Sequence, residues 1–147
     1  MNSFKKIFIT FLSALILTVV NTSNSFAKVE GDTIVLGAAV SLTGKYSSNG
    51  VHTQNGYNLA VERINSMGGV KVKGKNYKFK IIYYDDESNS GRAAQLAERL
   101  IKQDGVQYML GPYSSGLTKA MAPVTEKYKI PMVEANGASR SLFTKGY

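Results

Sequence analysis

Hydrophobic period in this chain switches repeatedly between short continuous apolar runs and helical spacing, and that alternation restricts the fold more than any other feature. Residues 34–40, IVLGAAV, are a nearly unbroken apolar run of strand length. Tyr57, Ala60, Val61, Ile64 and Met67 then recur at i, i+3, i+4 and i+7, drawing one stripe on a helix that Gly68-Gly69 ends. Residues 77–84, YKFKIIYY, are rich in aromatic and β-branched side chains and predict a second strand. Asp85-Asp86-Glu87 closes it, Ser88-Asn89-Ser90 offers N-cap side chains, and Ala93, Leu96, Ala97, Leu100 and Ile101 stripe a second helix. Residues 106–110 predict a third strand. Leu117, Ala120, Met121, Val124 and Tyr128 mark a third helix, with Pro123 expected to disturb its middle, and residues 130–133 predict a fourth strand. The order β-α-β-α-β-α-β, with strands apolar on both faces, implies an α/β fold: an open parallel sheet with helices on each side.

The first 27 residues do not read as part of that fold. Lys5 and Lys6 precede an apolar run from Ile7 to Val20, and Ser25-Phe26-Ala27 puts small residues where a signal peptidase reads. As a helix the run is only about 21 Å long at 1.5 Å per residue, short of the roughly 30 Å hydrocarbon core. Residues 1–27 are therefore expected to be a secretory signal cleaved after Ala27, leaving residues 28–147 as one lobe or domain. The chain has no cysteine. Export without disulfides fits a bacterial periplasm, and the absence of cysteine after Ala27 argues against a lipid anchor.

Eighteen bases against ten acids give a net charge of +8, concentrated in VKVKGKNYKFKI. Alternating lysines fall on one exposed strand face at period two, so a solvated face and a turn into the second strand explain them without nucleic acid. GVKVKGKN, residues 69–76, falls one residue short of a phosphate-binding P-loop, because Asn76 stands where Ser or Thr is needed, and it precedes a strand instead of a helix. PYSSG, residues 112–116, approaches a nucleophile elbow with Ser114 as nucleophile, but the one histidine, His52, lies upstream and no later one follows. Asp85, Asp86 and Glu87 are adjacent and cannot all point into one cation site, so strand-end capping is their expected role. No His/Cys metal pattern and no cofactor motif is present. His52 is read as a surface or rim residue.

In an open parallel sheet, ligands bind beyond the carboxyl ends of the strands. The loops SLTGKYSSNG, DDESNS, GPYSSG and EANGASRS all occupy such positions and form a rim of Ser, Thr, Asn and Gly. Ser114, Ser115 and Gly116 open a helix whose first N–H groups lack internal partners, so they can meet a small carboxylate or simply cap the helix.

The ordered segments IVLGAAVSLTGKYSSNG, NGYNLAVERINSMGGV, IIYYDDESNSGRAAQLAERLI and VQYMLGPYSSGLTKAMAPVTEKYKIPMV resemble the N-terminal lobe of the periplasmic amino-acid-binding proteins of ABC transporters, the leucine/isoleucine/valine-binding type above all. That resemblance runs from about Thr33 to Tyr147. It implies a type I periplasmic-binding-protein lobe, no enzymatic activity, an amino-acid ligand with the branched-chain type first, ABC permease subunits as partners, and a monomer when complete. It further implies ligand contacts at Ser115, with Ser114 beside it, and in the segment Asn136-Gly137-Ala138-Ser139, through the Ala138 N–H or the Ser139 hydroxyl. Asn49 and Tyr113 match positions that line the ligand's side-chain space. The family's second lobe has no counterpart here, so the chain is expected to be the first part of a longer protein. The alternatives are a ligand-sensing receptor ectodomain of the same fold and an α/β-hydrolase-like enzyme.

Overall fold

The computed structural model describes residues 28–134 and 136–146; the expected signal segment lies outside the described residues. In chain order the elements are β1 (Val29–Glu30), β2 (Thr33–Val40), α1 (Ser47–Ser66), β3 (Val70–Val72), β4 (Lys75–Asp85), α2 (Ser90–Lys102), β5 (Met109–Leu110), α3 (Ser115–Lys127) and β6 (Met132–Val133), followed by a 3-10 turn at Arg140–Leu142. The sheet runs β3-β4-β2-β5-β6. β4, β2, β5 and β6 are parallel, while β3 folds back on β4 and β1 pairs antiparallel with β2.

β2 is the central strand; Val35 and residues 37–40 of its apolar run are buried, while Ile34 and Leu36 are half-buried. Val35 and Ala39 pack with Ala93, Leu96, Ala97 and Leu100 of α2, with Val106 and Met109, and with Leu117 and Met121 of α3; this is the core. α1 lies against the opposite face. There the Asn65 amide donates to the Phe79 carbonyl and accepts from the Phe79 N–H, both at 2.8 Å, and the Tyr83 hydroxyl donates to Asn58 Oδ1 at 2.8 Å. The α1 stripe is only partly covered. Tyr57, Val61 and Ile64 are half-buried, but Ala60 is exposed and Met67 is 67% exposed, because α1 alone covers this side among the described residues.

Several elements differ from the sequence expectation, each for a local reason. The third strand shortens from 106–110 to Met109–Leu110, since β1 already occupies the start of that edge of β2, with the Val35 N–H donating to the Lys28 carbonyl. The fourth begins at Met132 because Pro131 has no N–H to give the ladder. α3 continues through Pro123. Pro123 sits on the solvent side together with Lys119, where water can meet the carbonyl that the missing N–H leaves free. The lysine-rich stretch forms the β3–β4 hairpin, turning at Lys73-Gly74 with both φ positive, and Lys71, Lys73, Lys75, Lys78 and Lys80 are exposed.

Candidate functional site

The chain passes from β2 to β4 on one side and then to β5 and β6 on the other, so the carboxyl ends of β2 and β5 flank a switch point in strand order. The four loops at that end fasten together in two pairs. After β2 and β4, Asp85 accepts from the Thr43 hydroxyl at 2.7 Å and from the N–H groups of Leu42, Thr43 and Glu87 at 2.9, 3.2 and 2.9 Å. Burial opposes ionisation of Asp85, but those four bonds outweigh it and hold its pKa below the usual carboxylate value. Asp86 is fully buried, accepting on Oδ1 from Ser41 Oγ at 2.6 Å and from the Ser88 N–H at 2.8 Å. Its Oδ2 is buried with no partner among the described residues, and burial raises its pKa despite those two bonds. Asp85 and Asp86 thus secure strand ends and loops, while the Glu87 carboxylate pairs with Arg92 at 3.3 Å on the surface.

After β5 and β6 the serines take separate roles. Ser114 has φ 80° and ψ 142°, a conformation that costs an L residue on the order of 1–3 kcal/mol. It is held there from both sides: its Oγ accepts from the Leu117 N–H at 3.3 Å, while its carbonyl accepts from the Thr118 N–H at 3.0 Å. Ser115 opens α3, and its Oγ accepts from the Ser139 N–H at 3.0 Å, joining the two contact segments. Glu134 braces the second segment from below, accepting from the Thr118 hydroxyl at 2.7 Å, the Asn136 N–H at 2.6 Å and the Gly137 N–H. Ala138 is exposed between them, and the Ser139 and Ser141 hydroxyls share a bond of 2.8 Å.

Beside these loops lies a cavity of about 410 Å³, lined by Asn49, His52, Thr53, Gly56 and Tyr57 of α1 together with Tyr113 and Asn136. The Tyr57 hydroxyl donates to the Gly111 carbonyl at 2.7 Å and also bonds the Asn136 side chain. Burial, reinforced by the negative charge of Glu134, pushes its pKa up, so it stays a neutral phenol. Tyr113 meets Tyr46 edge to face, ring centres 5.6 Å apart. Asn49, Tyr113 and Asn136 therefore share one cavity, Ser115 and Ser139 are bonded beside it, Ser114 serves as the helix cap, and His52 lies on the cavity wall. The expectation of a loop through residue 50 is corrected: Ser47–Gly50 is the first turn of α1, and Asn49 on that turn is exposed at the cavity's edge. Thr53, Gly56 and Tyr57 were missed as site residues. With Asn49 and His52 they fall at i, i+3, i+4, i+7 and i+8, a polar helix face that becomes readable once the helix start is set at Ser47 instead of near Tyr57.

The family model described as periplasmic binding protein matches residues 33–146. The Leu/Ile/Val-binding protein BraC3 of Rhizobium johnstonii is 27% identical over 135 residues, covering 92% of this chain and 35% of that protein. Among solved structures, the branched-chain amino acid transporter substrate-binding protein LivJ from Streptococcus pneumoniae, in complex with isoleucine, superposes with a TM-score of 0.68 at 29% identity, over 75% of this chain and 30% of its own. An R. palustris ABC-transporter solute-binding protein in complex with 4-hydroxybenzoate has a TM-score of 0.61 at 30% identity, over 76% and 29%. The chain spans about a third of the length of these relatives.

Proposed function

The chain belongs to the periplasmic binding protein family, and from that premise we propose that it is the N-terminal lobe of the extracytoplasmic substrate-binding component of an ABC transporter. Residues 28–147 follow a cleaved signal at residues 1–27 and work in the periplasm. The lobe captures an amino acid and holds it until a second lobe closes over it by hinge motion and the closed form meets the permease. The relatives and neighbours are named as binding proteins, chiefly for branched-chain amino acids, which supports capture without chemistry. The commitment of Ser114 Oγ to capping α3 weighs the same way against acyl transfer.

The observation that carries this reading is the bond between Ser115 Oγ and the Ser139 N–H, which gathers both serine-bearing segments at the α3 N-terminus. Hydroxyls, backbone N–H groups and the positive end of a helix dipole converge there, the chemistry an α-carboxylate requires. Titrating amino acids into the ¹⁵N-labelled chain is expected to move the amide signals of Ser115, Ala138 and Ser139. Ser115→Ala should weaken that response by about tenfold or more, the loss of one charge-assisted hydrogen bond. Signals that stay fixed at tens of millimolar amino acid would count against capture.

A further inference from the structure

We infer that the side-chain subsite of this lobe selects a ligand carrying a hydrogen-bonding group, an amide or a hydroxyl, beyond its carboxylate, in preference to a purely aliphatic one. The inference rests on the capture reading above and names the ligand class that the lobe's own walls favour.

Among the described residues, the lining of the cavity beside the serine loops contains no aliphatic side chain. Asn49, His52, Thr53, Tyr57, Tyr113 and Asn136 each bring a polar group to it, and Gly56 leaves room between them. The large apolar residues of α1 point elsewhere: Val51, Leu59 and Met67 are exposed outside the cavity lining. Some of the polar groups are already engaged. The Thr53 hydroxyl donates to the Asn49 carbonyl at 2.9 Å, and the Tyr57 hydroxyl donates to the Gly111 carbonyl and bonds the Asn136 amide. The Asn49 amide, the His52 imidazole and the Tyr113 hydroxyl, in contrast, make no hydrogen bond to other described residues, and these three residues line the cavity with donors and acceptors unspent.

An aliphatic side chain covering those groups would strip them of water and return nothing, and a site built to hydrogen-bond discriminates strongly against a ligand that lacks the partner. An amide or hydroxyl satisfies them.

Asparagine and leucine provide the test, because their side chains share one branched skeleton and differ in the polarity of its two terminal groups. Both are titrated into the ¹⁵N-labelled chain, following Ser115 and Ser139 for the carboxylate and Asn49 and Tyr113 for the side chain. The expected result is an asparagine affinity at least about tenfold above that of leucine, with Asn49 and Tyr113 signals responding to asparagine. Asn49→Leu, on the exposed first turn of α1, is expected to shrink that ratio. If leucine moves Ser115 and Ser139 as readily as asparagine does, capture stands and the polar-subsite inference falls. A ratio unchanged in Asn49→Leu overturns the inference as well. If neither amino acid moves Ser115 and Ser139, both readings fall.

Discussion

Asp85 and Asp86 are neighbours that respond to pH in opposite directions. Asp85 has a depressed pKa, so its contribution to stability is present above its unfolded value and disappears as pH falls through the folded one. Asp86 has a raised pKa, so its contribution is full below its unfolded value and is lost as pH rises through the folded one. Asp86→Asn keeps an acceptor for Ser41 and Ser88 and removes the buried charge. We expect the variant to gain stability relative to wild type as pH rises from 4 to 8, read from urea midpoints at each pH. A difference that stays constant across that range would show that Asp86 titrates as an ordinary carboxyl. The same scale decides how much of the site the sequence revealed. Ser115, Asn49 and Tyr113 were readable by resemblance, but the bond from Ser139 to Ser115 depends on two segments 24 residues apart meeting at a sheet end, which no local pattern encodes.

At the scale of elements, α1 decides the site, because one helix supplies five of the cavity's residues. Its two internal glycines make different demands. A Cβ on Gly50 would fall on the Ser41 carbonyl, so Gly50 is what lets α1 approach the end of β2, whereas a Cβ on Gly56 meets nothing within 4 Å. Gly50→Ala is therefore expected to cost roughly 1–3 kcal/mol through forced displacement. Gly56→Ala should stabilise by about 0.5–1 kcal/mol by stiffening the helix. Denaturant unfolding of the two variants checks both signs, and equal effects would contradict the close approach of α1 to β2. The alternation of runs and stripes gave the order of the main strands and helices correctly, since each period reports burial within its own segment. It overestimated β5 and β6, whose lengths are set by β1 competing for the edge of β2 and by Pro131. It also passed over β1 and β3, which are too short to show a period.

At the scale of the whole chain, the proposed capture predicts weak binding, because the described residues form one wall around a ligand. Micromolar affinity requires about −8 kcal/mol. Hydrogen bonds to a charged group contribute roughly 1.5–3 kcal/mol each, and less where water competes from an open side. Calorimetry on this chain is expected to show amino-acid binding no tighter than the millimolar range, while a chain extended through a second lobe should bind far more tightly. Micromolar binding by this chain alone would mean that closure is not what secures the ligand. None of the described helices is long and apolar enough to cross a membrane.

The outer margins of the sheet carry a different consequence. An unpaired strand can recruit the same strand of another molecule and seed aggregation. Here one margin is β3, three residues long with Lys71 exposed and Lys73 at its turn, and the other is β6, two residues preceded by a proline. Two copies meeting at β3 would bring like charges together, and two meeting at β6 could exchange only a few ladder bonds. The lysines that raise the net charge of the chain thus help keep it from polymerising through its own backbone.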